Sequence, residues 1–192
     1  MGRWEPGAME RLIAAALELF ERQGYEATTT AQIAERAGLT KTTFFRHFRD
    51  KREVLFAGQG VLIERATAAV DGAAHGAAPL DLGAAALDAL AAAHPEERRA
   101  DATRIGAVIA AHDELRERAV FKRSAIAEAV ARALTARGVD AVAAGLVAEL
   151  AVRAYYTGFD RWAADSRAGS LPELCRAALD ELRAAAASVT AR

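Results

Sequence analysis

Residues 28–51, TTTAQIAERAGLTKTTFFRHFRDK, constrain the fold more than any other stretch of the chain. They read as two short helices with a glycine corner between them. Of the three consecutive threonines, Thr29 suits the cap of the first helix, because its hydroxyl can accept from an unpaired amide of the opening turn. That helix runs to about Ala37 and turns Ile33, Ala34 and Ala37 inward. Gly38 makes the corner, and Thr40 caps the second helix. Phe44 and Phe48 lie four residues apart, hence on one face, and anchor this helix to a small core. Thr40, Lys41, Thr42, Thr43, Arg46 and His47 point elsewhere, where packing has no use for them.

The sequence to either side is helical as well. Over about 8–22, Leu12, Ile13, Ala16, Leu17 and Phe20 recur on one face, while Glu10, Glu18, Glu21 and Arg22 hold the other. Gly24 stops that helix at a position where left-handed backbone is cheap, and Tyr25 folds back on it as an apolar plug. Asp50 suits the cap of a further helix over about 50–70 that carries Val54, Leu55, Leu62 and Ile63. Beyond Asp71 come longer, alanine-rich amphipathic helices near 80–94, 96–112, 114–137, 140–165 and 171–188. Breakers at Gly72–Pro79, His94–Pro95, Gly138 and Ala168–Pro172 mark the cuts, and Pro6, Pro79, Pro95 and Pro172 all stand near such ends. Ala, Leu, Arg and Glu dominate, and β-branched or aromatic runs are scarce. The expected fold is all-α. A three-helix helix-turn-helix domain occupies 1–56, the 50–70 helix links it onward, and a helical bundle fills 57–192, about nine helices in total.

Charge adds a local signal to this frame. The net charge is only −1, from 25 Lys and Arg against 26 Asp and Glu. Between Lys41 and Arg52, however, stand Lys41, Arg46, Arg49, Lys51 and Arg52 against the single acid Asp50, with His47 beside them. Phosphate neutralisation needs charge at the groove rather than over the whole surface. The lone cysteine, Cys175, excludes an internal disulfide, and His75, His94 and His112 lack metal-site spacing. No nucleophile stands beside a base, so neither an enzyme nor a cofactor is indicated. With 53% hydrophobic and 27% charged residues, and no long uncharged apolar run, the chain reads as soluble and cytoplasmic with no membrane partner.

A helix of this size fits the major groove of B-DNA. Threonine methyls can meet thymine, Lys and Arg can meet guanine O6 and N7, and hydroxyls can meet phosphate. Over Met9 to Phe56 the chain resembles the amino-terminal domain of the tetracycline-repressor (TetR) family of bacterial transcription regulators. The stretch ALELFERQGYEATTTAQIAERAGLTKTTFFRHFRDKREVLF carries the resemblance without gaps. Its elements are the aromatic-then-glycine close of the first helix, Thr before Ile33 and Ala34, A-G-L-T, an aromatic pair, H-F, and Lys before the next helix. The resemblance implies that Thr29 meets a phosphate through its hydroxyl or amide. It implies that Thr40, Lys41, Thr42 and Thr43 approach bases or adjacent backbone, that Arg46 and His47 reach base edges or phosphate, and that Lys51 pins the phosphate chain. Thr42 stands where the family often has glycine. Phe45 stands where a tyrosine hydroxyl often meets phosphate, leaving apolar or methyl contact only.

The resemblance ends near the 50–70 helix. What the family implies beyond it is a double-stranded DNA operator, a homodimer formed by the last two helices, and a small-molecule effector inside the bundle. Val142, Leu146, Val147 and Leu150, then Leu174, Leu179 and Leu182, could form either a core within one chain or a seam between two. Candidate ligand residues are Arg104, His112, Phe121, Tyr155, Tyr156 and Phe159, with Trp162 and Arg153 near them, although aromatics at helical spacing are more often plain core. The expectation is therefore an effector-responsive repressor on a palindromic operator. The alternatives are a helical-bundle small-molecule-binding protein or enzyme, and a DNA-binding activator without an effector.

Overall fold

The computed structural model describes residues 7–190; Pro6 and the rest of the first six residues of the domain expected over 1–56 lie outside the described residues. Among the described residues there are nine α-helices and no strand. They are α1 (Ala8–Gln23), α2 (Thr30–Arg36), α3 (Lys41–His47), α4 (Gln59–Gly72), α5 (Pro79–Ala91), α6 (Arg99–Ala111), α7 (Asp113–Ala136), α8 (Ala141–Ala164) and α9 (Leu171–Thr190). Short 3-10 turns at Arg52–Phe56 and Glu96–Arg98 precede α4 and α6. Packing divides the chain into two units, Met1–Ala57 with Arg104–Ala119, and Gly58–Thr103 with Val120–Arg192.

The single helix expected over 50–70 is in fact two pieces. Asp50 does accept from the amides of Arg52 and Glu53, at 2.8 and 3.2 Å, but the turn it heads is 3-10 and ends at Phe56. Ala57 is extended and Gly58 is left-handed at φ 85°, and α4 starts only after them. Glycine takes that conformation at little cost, which is why the chain can break there.

In the first unit, helices of seven residues are too short to persist alone, and a shared core holds them. Leu12, Ala16, Leu17 and Phe20 of α1 close over Ile33 and Ala34 of α2 and Phe44 and Phe48 of α3. Val54 and Leu55 of the 3-10 turn and Leu115 of α7 complete the cluster. Residues 104–119 thus pack with the amino-terminal helices, whereas the expected division at 56/57 counts them with the bundle. Ile105, Val108 and Ile109 lean on the same core, Arg104 Nη2 reaches Glu21 Oε2 at 2.8 Å, and Arg118 Nε reaches Glu53 Oε1 at 2.9 Å.

In the second unit α8 packs along α9, and α5 packs against both α4 and α8. Leu82, Leu87, Leu90, Val130, Leu134, Val147, Trp162, Leu171 and Cys175 form its core. Small residues set the helix separation. A Cβ on Gly158 would stand 2.7 Å from the Cys175 backbone, so only glycine allows that approach. Asp140 caps α8 by accepting from the amides of Val142 and Ala143 at 3.0 and 3.2 Å.

Arg99, only 9% exposed, ties three helix ends of this unit together. Its Nη1 donates to the carbonyls of Trp162 and Asp165 at 3.0 and 2.7 Å, and its Nη2 donates to the Gly169 carbonyl at 2.9 Å. Glu96 supplies the counter-charge to Arg99 Nη2 at 3.0 Å and also accepts from Trp162 Nε1 at 3.1 Å. No helix among the described residues is long and apolar enough to cross a membrane.

Candidate nucleic-acid interface

The candidate interface is built on α3. Thr40 is extended at its amino terminus, and its hydroxyl accepts from the Thr43 amide at 3.1 Å. Gly38, at φ 67°, turns the chain between α2 and α3. Phe44 and Phe48 are 0% and 5% exposed and meet at 5.6 Å between ring centres. With those two rings in the core, Thr40, Lys41, Thr42, Phe45 and Arg46 are exposed, and Thr43 and His47 are half-buried at the edge of the same face. The spacing predicted from Phe44 and Phe48 is the spacing observed. Arg49 is also exposed, so cations cluster at the carboxy-terminal end of α3, where they meet the favourable end of its dipole.

Thr29 caps α2 as the sequence suggests, in a reciprocal arrangement with Gln32. The Gln32 amide donates to the Thr29 hydroxyl at 3.2 Å, and the Thr29 amide donates to Gln32 Oε1 at 2.9 Å. Gln23 Nε2 reaches the same oxygen at 3.2 Å. Both groups of Thr29 that could meet a phosphate therefore already serve the cap. The Thr–x–x–Gln spacing that signals this box is present in the sequence, although Gln32 does not figure in the expected site.

Lys51 is held more tightly than a solvated surface lysine. Its ammonium donates to the carbonyls of Tyr25 and Glu26 at 2.7 and 3.2 Å and lies 4.1 Å from the centre of the Tyr25 ring. Tyr25 is buried, donates its hydroxyl to Glu114 Oε1 at 3.0 Å, and lies tilted against His112 with 4.9 Å between ring centres. Burial and the Glu114 carboxylate push its phenol well above the ordinary value. Neither Glu114 nor Tyr25 is separable from ordinary helix and core residues by sequence pattern.

The six candidate ligand residues do not form one group. Arg104 and His112 belong to the first unit, where Arg104 pairs with Glu21 and His112 lies beside Tyr25 and 3.7 Å from Glu26. Phe121 is 62% exposed. Tyr155, Tyr156 and Phe159 do lie together in the second unit, with His94 and Trp162. The Tyr155 hydroxyl shares a 2.7 Å hydrogen bond with His94 Nε2, and Arg123 stacks on Tyr156 at 4.0 Å. Burial, then the charges of Arg65 and Arg98, holds the His94 imidazole below its ordinary value. Cys175 is fully buried and its thiol is pushed up to about 12, mostly by burial, which makes it a packing residue. No group of three or more potential metal ligands occurs among the described residues.

Residues 12–57 match the family described as bacterial regulatory proteins, tetR family. Among curated proteins, the chain is 45% identical over 71 residues to the HTH-type transcriptional regulator TcmR of Streptomyces glaucescens, covering 37% of this chain and 31% of TcmR. It is 46% identical over 56 residues to the HTH-type transcriptional regulator SrpR of Pseudomonas putida, covering 29% of this chain and 25% of SrpR. The matched stretch thus spans about a third or less of these relatives. Among solved structures, the SmeT–triclosan complex aligns with TM-score 0.60 at 17% identity, over 93% of this chain and 91% of that one. A tetR-family regulator from Mesorhizobium loti described as putative aligns at 0.56 and 20% identity, over 95% and 96%. At those identities the two structures speak for the fold, and they extend it across both units. Residues 12–57 are therefore an amino-terminal domain of the kind found in the tetR family of bacterial regulatory proteins.

Proposed function

We propose that the protein is a DNA-binding transcriptional regulator that acts as a homodimer on a palindromic operator and is released by a small-molecule effector. The observation that carries this reading is the α3 face. Thr40, Lys41, Thr42, Phe45 and Arg46 are exposed on a helix whose opposite side is fixed by Phe44 and Phe48, within the segment that matches the family. Each protomer inserts α3 into the major groove, and the two half-sites lie one helical turn apart, about 34–36 Å. Lys51, Arg46 and the first turn of α3 supply the phosphate contacts that set register.

Dimerisation through α8 and α9 is supported by the exposed apolar side chains that α8 does not bury within its own chain. Val142 is 82% exposed and Leu146 63%, while their neighbour Val147 is buried. The effector site is assigned to the second unit, where Tyr155, Tyr156 and Phe159 cluster. An effector relieves repression only in proportion to its preference for the dimer form that cannot hold both half-sites. Such a regulator works in the cytoplasm, at the chromosome.

The test is retention of genomic fragments by the purified protein, followed by an effector screen on the recovered operator. The expected result is a small set of fragments sharing an inverted repeat, released by one class of small molecule. Failure to retain any duplex at low ionic strength, its own upstream region included, would overturn the reading.

A further inference from the structure

Among the described residues of the first unit Phe45 is an exposed aromatic, 48% exposed, while Phe44 and Phe48 beside it are buried. Its ring packs against a core neighbour on one side. It meets the edge of Phe44 at 5.4 Å between centres and 83° between planes, and Phe44 is itself fixed at 0% exposure. Lys41 Nζ lies 5.8 Å from the ring centre, and Arg46 and Arg49 are exposed along the same stretch.

A phenyl ring offers no hydrogen bond, so it can meet neither a phosphate oxygen nor the donors and acceptors of a base edge. Its cationic neighbours nevertheless draw a polyanion onto it. Of the groups that the base pairs display in the major groove, the C5-methyl of thymine is the apolar one. We infer that Phe45 reads thymine methyl groups, so that the operator half-site carries a thymine under the ring. This rests on the operator binding proposed above and names what one residue of that interface recognises. Lys41 and Arg46 fix where the helix lies, whereas Phe45 discriminates thymine from cytosine at a place where no polar contact is made. Burying one methyl contributes on the order of a fourfold change in affinity.

The experiment uses the full chain and the operator recovered by selection. Each thymine is replaced singly by deoxyuridine, which removes the methyl and leaves the Watson–Crick edge intact. The expected result is one or two thymines per half-site whose demethylation weakens binding about fourfold, with that loss abolished in Phe45→Ala. Phe45→Met, which keeps an apolar side chain, provides a second variant if the alanine protein melts early, and should keep part of the preference. Indifference to deoxyuridine at every position would overturn the inference while leaving operator binding intact. So would an unchanged loss in Phe45→Ala, which would assign the methyl to Thr42 or Thr43. Recovery of no operator at all would overturn both readings, and is a distinct outcome.

Discussion

The ammonium of Lys51 lies 2.7 Å from the carbonyl oxygen of Tyr25 and 4.1 Å from the centre of its ring. The residue assigned to pin the phosphate chain is therefore also the one that closes the loop after α1. Two donors are spent on the Tyr25 and Glu26 carbonyls, which leaves one ammonium donor for the proposed phosphate contact.

Lys51→Ala removes both roles, and two measurements separate them. Loss of the carbonyl contacts should lower stability by roughly 1–2 kcal/mol, read by denaturant unfolding. Loss of the phosphate contact should weaken binding to all duplexes alike and flatten the log–log salt slope by about one unit. A destabilised protein with an unaltered slope would assign Lys51 to the loop alone.

Thr42 is exposed one residue into α3, beside the capped end proposed to enter the groove. Removing its side chain by Thr42→Gly should change which bases are preferred more than how tightly the best site binds. Selection from a randomised duplex library checks this, and an identical consensus for both proteins would refute it. Because glycine is a poorer helix former than threonine by roughly 0.3 kcal/mol, a small general weakening is expected in addition.

Two glycines should respond to alanine in opposite directions. In Gly158→Ala the new Cβ meets the Cys175 backbone at 2.7 Å, where rigid main chain cannot yield, so a loss of about 1–3 kcal/mol is expected. Gly106 lies in α6, where an added Cβ would find nothing within 4 Å, and Gly106→Ala should add about 0.5–1 kcal/mol through helix propensity. Chemical denaturation of both variants decides, and equal signs would contradict the packing described for α8 and α9.

His94 should make stability fall on mild acidification. Its imidazole is held below the ordinary value of 6.5 by burial and by Arg65 and Arg98, so the unfolded chain binds the proton more readily than the folded one. Stability is full above the unfolded value, declines as the pH drops through it, and stops declining below the folded value. His94→Gln should flatten the unfolding midpoint between pH about 7.5 and 5. The carboxylates Glu18, Glu21 and Glu96 are shifted downwards by their arginine partners and act only at lower pH. An unchanged slope in the variant would rule out His94 as the source.

What the chain discloses in advance follows from the range of each interaction. The caps at Thr29 and Thr40, and the Phe44–Phe48 pair, act across two to four residues, and each is where the spacing predicts. The break at Gly58 is also local, with Gly58 and Gly60 flanking Gln59, but the apolar run through Leu62 and Ile63 masks it. The pairing of Arg104 with Glu21, 83 residues apart, carries no such mark. An arginine on an amphipathic helix looks alike whether it meets a ligand or a glutamate. Sequence alone therefore groups Arg104 and His112 with Tyr155, whose partners lie in the other unit.

Arg99 grips the Asp165–Gly169 turn by main-chain oxygens alone. A guanidinium that meets this turn only through carbonyls is indifferent to the side chains the turn carries. Apart from Gly169, whose φ of 110° favours glycine, and Asp165, whose carboxylate accepts from the Arg167 amide at 2.8 Å, Arg99 locks the route of the connection without constraining its composition.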